Sequence, residues 1–338
     1  MKISIILPVK DTSKYLKECL DSIVGQSYTN WELLAVNDNS SDNCFSILQE
    51  YAAQDDRIKA LDNPQPSLLN ALRYGYAKSS GILIHRMDSD DIMPLNKLEL
   101  MIDKFDFENL SQLSGGIVIT GGTKYFKDDG EVGDGFKKYD AWLMDVARNN
   151  SHKIEMYKEC VIPSNCWLVH REDFDKIGGF SPETFPEDYD LCFRFIEGGL
   201  NVIGIPEVLH HWRDRSDRIS RNWEVYKDNR FFQLKIGYFQ KITRDTSRPL
   251  VLWGAGKNGK DLAKLIKEQK EEFHWVCDNE NKIGKDIYDV RLKHYSVIQE
   301  IANSQIIIGV ASPNGQKEIM TELNKLNLKK GIDYWFFA

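Results

Sequence analysis

Within its first ninety residues the sequence alternates short apolar runs with segments that repeat apolar residues at helical spacing. Ile3 to Val9, Trp31 to Asn37, Ile58 to Leu61 and the run after Gly81 that ends at His85 read as strands. Between them lie Leu16, Cys19, Leu20 and Ile23, then Phe45, Ile47, Leu48 and Tyr51, then Leu68, Leu69, Ala71, Leu72 and Tyr76, the buried stripes of three helices. Thr12 and Ser13 are suited to cap the first helix. Strand and helix alternating at this pace predict an α/β fold with a mostly parallel sheet and helices on both faces. Such sheets bind ligands beyond the carboxyl ends of their strands.

Three of those ends carry Pro8 to Asp11, Asp38 to Asp42 and Asp88 to Asp91. The stretch Met87-Asp88-Ser89-Asp90-Asp91 gathers carboxylates whose mutual repulsion a divalent cation would relieve, and hard oxygen ligands suit Mg²⁺ or Mn²⁺. Each loop also has a plainer reading as an Asx-turn or helix cap. A second acidic cluster, Glu187-Asp188-Tyr189-Asp190, precedes apolar residues at helical spacing and predicts a helix starting at Glu187 or Asp188. Carboxylates there are also favoured by the helix dipole alone.

With 338 residues and 42% hydrophobic side chains the chain has core material for two domains. Its net charge is −7 and no run of Lys or Arg forms a nucleic-acid track, so an anionic ligand must be drawn by a metal or by local dipoles. The first residues are too short and strand-like for a signal peptide, and no apolar run reaches the roughly 20 residues that span a bilayer. The six cysteines show no CxxC spacing and read as reduced core residues of a cytoplasmic protein. Peripheral attachment at the inner face of a membrane is left open, as is oligomeric state.

Farther along, Pro94 to Phe105 reads as a helix, Ile117 to Thr120 as a strand, Gly121 to Gly135 as a glycine-rich excursion, and Pro163 to Val169 as a loop entering a strand. Val202 to Ile205 and Val208 to Trp212 read as two further strands; of His210 and His211 at most one could ligate a metal, because neighbours in a strand face opposite ways. Residues 223–247 read as a helical linker between a domain at 1–222 and a smaller one at 248–338. That second domain opens strand, GxGxxG, helix, with Gly254, Gly256 and Gly259, and Asp278 ends the next strand near the position of a ribose-binding acid. The same glycines serve close strand–helix packing with or without a nucleotide.

Taken together, the rim loops make the N-terminal two-thirds resemble the family 2 glycosyltransferases of GT-A fold. The residues that carry the resemblance are Ile5-Ile6-Leu7-Pro8-Val9, Val36-Asn37-Asp38-Asn39-Ser40-Ser41-Asp42, Arg86-Met87-Asp88-Ser89-Asp90-Asp91 and Pro186-Glu187-Asp188-Tyr189-Asp190-Leu191. Trp212-Arg213-Asp214 with Ser220-Arg221 is similar to the tail of a bacterial subgroup that also has a C-terminal Rossmann-like domain. Three positions depart from the pattern: Asn39 replaces a glycine, Arg73 stands where many relatives have asparagine, and Arg215 stands where others have histidine.

The resemblance implies a nucleotide-diphospho-sugar donor, in the first instance a UDP-sugar, and a glycan, lipid-linked or other hydroxyl acceptor. By the same route Asp38 meets the base, the backbone at Pro8 and Val9 lines the nucleotide slot, Asp88 holds the ribose or shares the metal, and Asp90 coordinates the divalent metal. Asp188 is implied as the general base of an inverting transfer, supported by Glu187, and Asp91 is left with capping the loop before Pro94. Two rival readings are a non-catalytic GT-A-like binding protein and a nucleotide-sugar-modifying or NAD-binding enzyme run by Gly254, Gly256, Gly259 and Asp278.

Overall fold

The computed structural model describes residues 1–110, 115–215 and 231–338, with 109 and 110 as backbone only. Two compact units emerge, Met1–His152 with Val161–Lys227 and Lys153–Cys160 with Asp228–Ala338. Residues 153–160 therefore group with the C-terminal unit, although chain of the N-terminal unit flanks them on both sides.

The N-terminal unit is built on β1 (Ile3–Val9), β2 (Trp31–Asn37), β3 (Ile58–Asp62), β4 (Leu83–Arg86), β5 (Ile117–Phe126), β6 (Trp167–His170) and β7 (Asn201–Arg213), in the spatial order β3-β2-β1-β4-β6-β5-β7. All seven residues of β1 and of β2 are buried, as expected for strands covered on both faces. Each fully buried Ile or Leu in them contributes about 1.5–3 kcal/mol. Helices Ser13–Val24, Cys44–Ala52 and Leu68–Ala77 fill the crossovers, with Leu16, Cys19, Leu20, Leu48, Leu69 and Leu72 turned inward. Strand β6 pairs antiparallel with both β4 and β5 while the remaining pairs are parallel. Reversal of β6 brings the residues before it to the rim where β1, β2, β4 and β7 end.

Two sequence expectations are corrected here. Strand β5 runs on to Phe126 through Gly121 and Gly122, and β7 is one strand rather than two. The register between them slips at Gly121 and Gly122, where Pro206, Glu207 and Leu209 are extra residues on β7. A Cβ on Gly121 would meet the buried Leu209 side chain at 2.5 Å and one on Gly122 the Met144 side chain at 2.4 Å, so the glycines that suggested an excursion make room for neighbouring side chains inside the sheet. Of the linker, residues 231–247 are described and contain helix Phe232–Ile242; Ser220, Arg221 and residues 223–230 lie outside the described residues.

Glu32 of β2 ties the opposite end of the sheet. Its carboxylate accepts hydrogen bonds from Ser4 Oγ at 2.7 Å, Lys2 Nζ at 2.9 Å and Lys59 Nζ at 3.0 Å, and from the Ser80 and Gly81 N–H groups. Burial alone would raise its pKa, but the Ser80, Lys2, Ser4 and Lys59 hydrogen bonds outweigh burial and hold it far below the usual glutamate range. A depressed carboxylate pKa gives stability that is present above the unfolded value of about 4.3 and lost as pH falls. Glu32→Gln is expected to cost about 2 kcal/mol at pH 7 by urea unfolding, with the gap to wild type narrowing below pH 4.

The C-terminal unit holds β8 (Leu250–Trp253), β9 (His274–Cys277), β10 (Asp286–Ile287), β11 (Val290–His294), β12 (Gln305–Ile308) and β13 (Tyr334–Phe336), ordered β10-β11-β9-β8-β12-β13. Its pairs are parallel except β10 with β11. Gly254 has φ +123°, and a Cβ on Gly259 would lie 2.0 Å from the Gly254 carbonyl oxygen, so the turn and the close start of helix Lys257–Glu268 both require glycine. Gly256 faces open space, and Asp278 is exposed directly after β9, the neighbour of β8.

Candidate active site

Strand register sets the rim. Val9 pairs with Asn37 and Ile6 with Arg86, so Asp38 and Asp88 leave the sheet on the same side. Asp38 is buried: its N–H donates to the Val9 carbonyl at 2.7 Å, and its Oδ1 accepts from Asn63 Nδ2 at 2.6 Å and the Ser67 N–H at 3.0 Å. Lys10 Nζ stands 3.6 Å from its Oδ2. Pro8 and Val9 are themselves buried inside β1, and exposed chain at that strand end begins at Lys10. Asn39 adopts φ +54°, a left-handed conformation that asparagine tolerates, so its replacement of glycine leaves the turn intact. Asp42 accepts from the Ser13 N–H at 2.8 Å and the Cys44 N–H at 3.0 Å. Burial raises its pKa, yet the Cys44 and Ser13 hydrogen bonds win and hold it at about 2, as an Asx-turn carboxylate.

The three carboxylates after β4 have different surroundings. Asp88 Oδ1 accepts from Arg86 Nε at 3.1 Å, and its Oδ2 lies 3.3 Å from both Ser164 Oγ and Asn165 Nδ2, which the reversed β6 brings to the rim. Asp90 Oδ2 pairs with Arg215 Nε at 2.8 Å. Asp91 has a larger role than the capping expected of it, and this corrects the sequence reading. It is buried and accepts from Asn165 Nδ2 at 2.7 Å, His210 Nε2 at 3.0 Å and the Arg213 N–H at 2.8 Å, so it pins β7 and the approach to β6 onto the β4 loop. His210 is thereby a buried hydrogen-bonded residue whose Nδ1 faces Lys97 Nζ at 3.4 Å. Burial pulls the Lys97 ammonium down to about 8.

Helix Glu187–Glu197 supplies the facing wall, with Glu187, Asp188 and Asp190 in its first turn. Asp190 is spent on Arg194 at 2.7 Å. Glu187 Oε1 accepts from Arg86 Nη1 at 3.1 Å, so one buried guanidinium joins Asp88 on the strand end to Glu187 on the helix. Asp188 keeps partial exposure although protein surrounds it densely. Burial, then the neighbouring Glu187 charge, push its carboxyl up to about 7, while Arg86 and the Tyr189 N–H act in the opposite sense. Arg73 reaches across to the loop before this helix, donating to the Phe180 carbonyl at 2.9 Å and the Ser181 carbonyl at 2.6 Å.

Of the residues expected at the site, the loops after β2 and β4 hold Asp38, Asp88 and Asp90, and helix Glu187–Glu197 holds Glu187 and Asp188. Asp38 and Asp88 share the rim, and Arg86 links Asp88 to Glu187 beside Asp188. Gly254, Gly256, Gly259 and Asp278 belong to the other unit. No role was legible in the sequence for Arg86, Asn165 or Arg213, although Arg86 adjoins the acidic motif and Arg213 stands in the Trp212-Arg213-Asp214 tail.

The site can also be asked whether it fits a divalent cation. Among the described residues no group of three or more His, Cys, Asp and Glu side chains is placed to hold one. A cation of this kind is commonly held by one or two carboxylates with substrate phosphates completing its shell, so a protein cage is unnecessary. Asp88 and Asp90 have the right hard oxygens, and Asn165, whose Nδ2 lies 3.3 Å from Asp88, has a buried Oδ1 without a hydrogen-bond partner. The residues fit a cation completed by a phosphate-bearing ligand.

The sequence profile described as glycosyl transferase family 2 matches residues 4–178, more than half of the chain, taking in Asp38, Asp88 and Asp90. The chain belongs to glycosyl transferase family 2. Glycosyltransferase GlyG of Streptococcus pneumoniae is 25% identical over 225 residues, covering 65% of this chain and 73% of GlyG. Mannosyltransferase PcManGT from Pyrobaculum calidifontis, solved with GDP-Man and Mn²⁺, shares the fold with a TM-score of 0.53 at 17% identity, over 72% of this chain and 64% of that one. S. aureus TarS 1-349, solved in complex with UDP, does so with a TM-score of 0.51 at 15% identity, over 80% of this chain and 72% of that one. The α/β architecture of the N-terminal unit is accordingly the GT-A fold, and this family 2 chain is a glycosyltransferase.

Proposed function

We propose that this chain moves a sugar from a nucleotide-diphospho-sugar, in the first instance a UDP-sugar, onto a hydroxyl of a glycan or lipid-linked acceptor in cell-surface polysaccharide assembly, with inversion at the anomeric carbon. The observation that carries the reading is the Arg86 bridge, which fixes the acidic strand end of Asp88 against the helix turn of Glu187 and Asp188. Asp38 receives the base, Asp88 the ribose, and Asp188 takes the acceptor hydroxyl proton as the oxygen attacks, with Glu187 holding its surroundings. A base with a pKa near working pH combines availability with proton affinity, and the raised Asp188 pKa supports that role. Asp90 and Asp88 would hold Mg²⁺ or Mn²⁺, which when bound stabilises charge on the departing diphosphate.

Buried thiols at Cys19, Cys44, Cys166, Cys192 and Cys277 suit a reducing compartment, which supports a cytoplasmic site with the acceptor presented at the membrane's inner face. The C-terminal unit is read as a Rossmann-like module, on the strength of its glycine turn. A thermal-shift screen of UDP-, GDP- and dTDP-sugars with Mn²⁺, against NAD and NADP, tests the whole reading. Saturation at about 100 times Kd adds about 2.7 kcal/mol, a shift of a few degrees. Stabilisation by a nucleotide-sugar is the expected result; stabilisation by NAD alone would overturn the reading.

A further inference from the structure

Two arginines at the end of β7 grip Asp90 in different ways. Arg213 Nε donates to the Asp90 carbonyl at 2.8 Å, and Arg213 is itself buried between Asp128, Glu18 and the rings of Tyr15 and Phe126. Arg215 instead holds the Asp90 carboxylate, Nε to Oδ2 at 2.8 Å, with its guanidinium 5.6 Å from the Tyr15 ring centroid. The side chains of Asp90 and Arg215 are 14% and 17% exposed, so solvent reaches the pair. Arg213 is therefore a strut, whereas Arg215 is a cation resting on the carboxylate that the metal would need.

A divalent cation about 2.1 Å from either Asp90 oxygen would lie within a few ångströms of the guanidinium that Oδ2 accepts at 2.8 Å, so the two positive groups repel and each weakens the hold of the carboxylate on the other. Resting on the donor-site reading above, we infer that Arg215 and the divalent cation are alternative counter-ions of Asp90, and that the donor diphosphate decides between them. In the free protein Arg215 neutralises Asp90 and weakens metal binding. When a nucleoside diphosphate arrives, its oxygens offer the guanidinium a planar, charge-assisted partner. Arg215 then passes from Asp90 to the phosphate, and the carboxylate is released for the cation. Arg215 so makes metal loading conditional on donor loading, and metal without donor is disfavoured.

The experiment is Mn²⁺ titration of the full chain, followed by the electron paramagnetic resonance of free Mn²⁺, with and without UDP or GDP, for wild type, Arg215→Gln and Arg215→Lys. Arg215→Gln is expected to bind Mn²⁺ about tenfold more tightly than wild type when nucleotide is absent, and to lose most of the enhancement that nucleotide gives, the size usual for coupling between two ligands. Arg215→Lys keeps the charge without the planar fork and is expected between the two, which guards against a folding defect in the glutamine variant. Equal or weaker Mn²⁺ binding by both variants, with nucleotide enhancement unchanged, overturns this inference and leaves the donor site standing. A wild-type protein that binds neither UDP nor GDP at any Mn²⁺ concentration overturns the donor-site reading and the inference with it.

Discussion

Asp188→Asn is expected to lower kcat about a thousandfold while leaving nucleoside-diphosphate binding within a few-fold of wild type, measured as nucleoside-diphosphate release at saturating donor and by calorimetric titration. Asparagine keeps the size of the side chain and an oxygen for the Tyr189 N–H that Asp188 accepts at 2.8 Å, but it cannot take a proton. The proposed donor contacts at Asp38, Asp88 and Asp90 lie on other elements, so binding and turnover should separate. In wild type the rate should rise with pH through about 7, because the base works only when ionised and its pKa is raised first by burial and then by Glu187. That limb should vanish in the variant.

Stability gives an independent check on the same residue. A carboxylate whose folded pKa is raised stabilises the fold in its protonated form below the unfolded value of about 4, and that contribution is lost as pH rises through the folded pKa. Ionised Asp188 is thus a burden at pH 8, and Asp188→Asn should melt at or above the wild-type temperature there. Turnover within a few-fold of wild type in a well-folded variant would remove Asp188 from the role of base.

How much of this could be read from the residues depends on the range of the interaction. Strands β1, β2 and β4 were legible because burial on both faces demands unbroken apolar runs, and the helices between them because one face is buried every three or four residues. The rim followed from parallel pairing, which puts Asp38 and Asp88 on one side without further information. The four residues of β6 carry no sign of their reversal, although that reversal delivers Asn165 to Asp88 and Asp91. Asp91 looked like its neighbours because its partners Asn165, His210 and Arg213 lie 74, 119 and 122 positions away. Glycines at 121 and 122 suggested a loop because a local reading has no access to Leu209 and Met144, the side chains that fill the space at Gly121 and Gly122 respectively. The departure at Arg215 was visible in the sequence, but its pairing with Asp90 required the fold.

Arg86 carries the second large expected effect. Its two arms lie 3.1 Å from Asp88 and 3.1 Å from Glu187, and burial would lower its pKa were it not for Asp88, Glu187 and Asp188, which together raise it. Arg86→Lys retains one charge on a shorter side chain that cannot hold both carboxylates in a fork, so transfer should fall about a hundredfold, the scale for a small misplacement of reacting groups. A merely structural part would lower the rate without altering its pH profile. Arg86 also holds the Asp188 pKa down, so the rising limb should move above 7 in the lysine variant if the ammonium sits farther from Asp188. Arg86→Ala goes further and removes the buried guanidinium from between Asp88, Glu187 and Asp188, at a cost of about 3–5 kcal/mol near neutral pH. Without that guanidinium these carboxylates have raised folded pKa values, so part of the loss should return as pH falls to 5 and they take up protons. Urea unfolding at pH 5 and 7.5 measures the recovery; an equal deficit at both, with the rate limb of Arg86→Lys unmoved, would mean that Arg86 does not set the charge balance of the site.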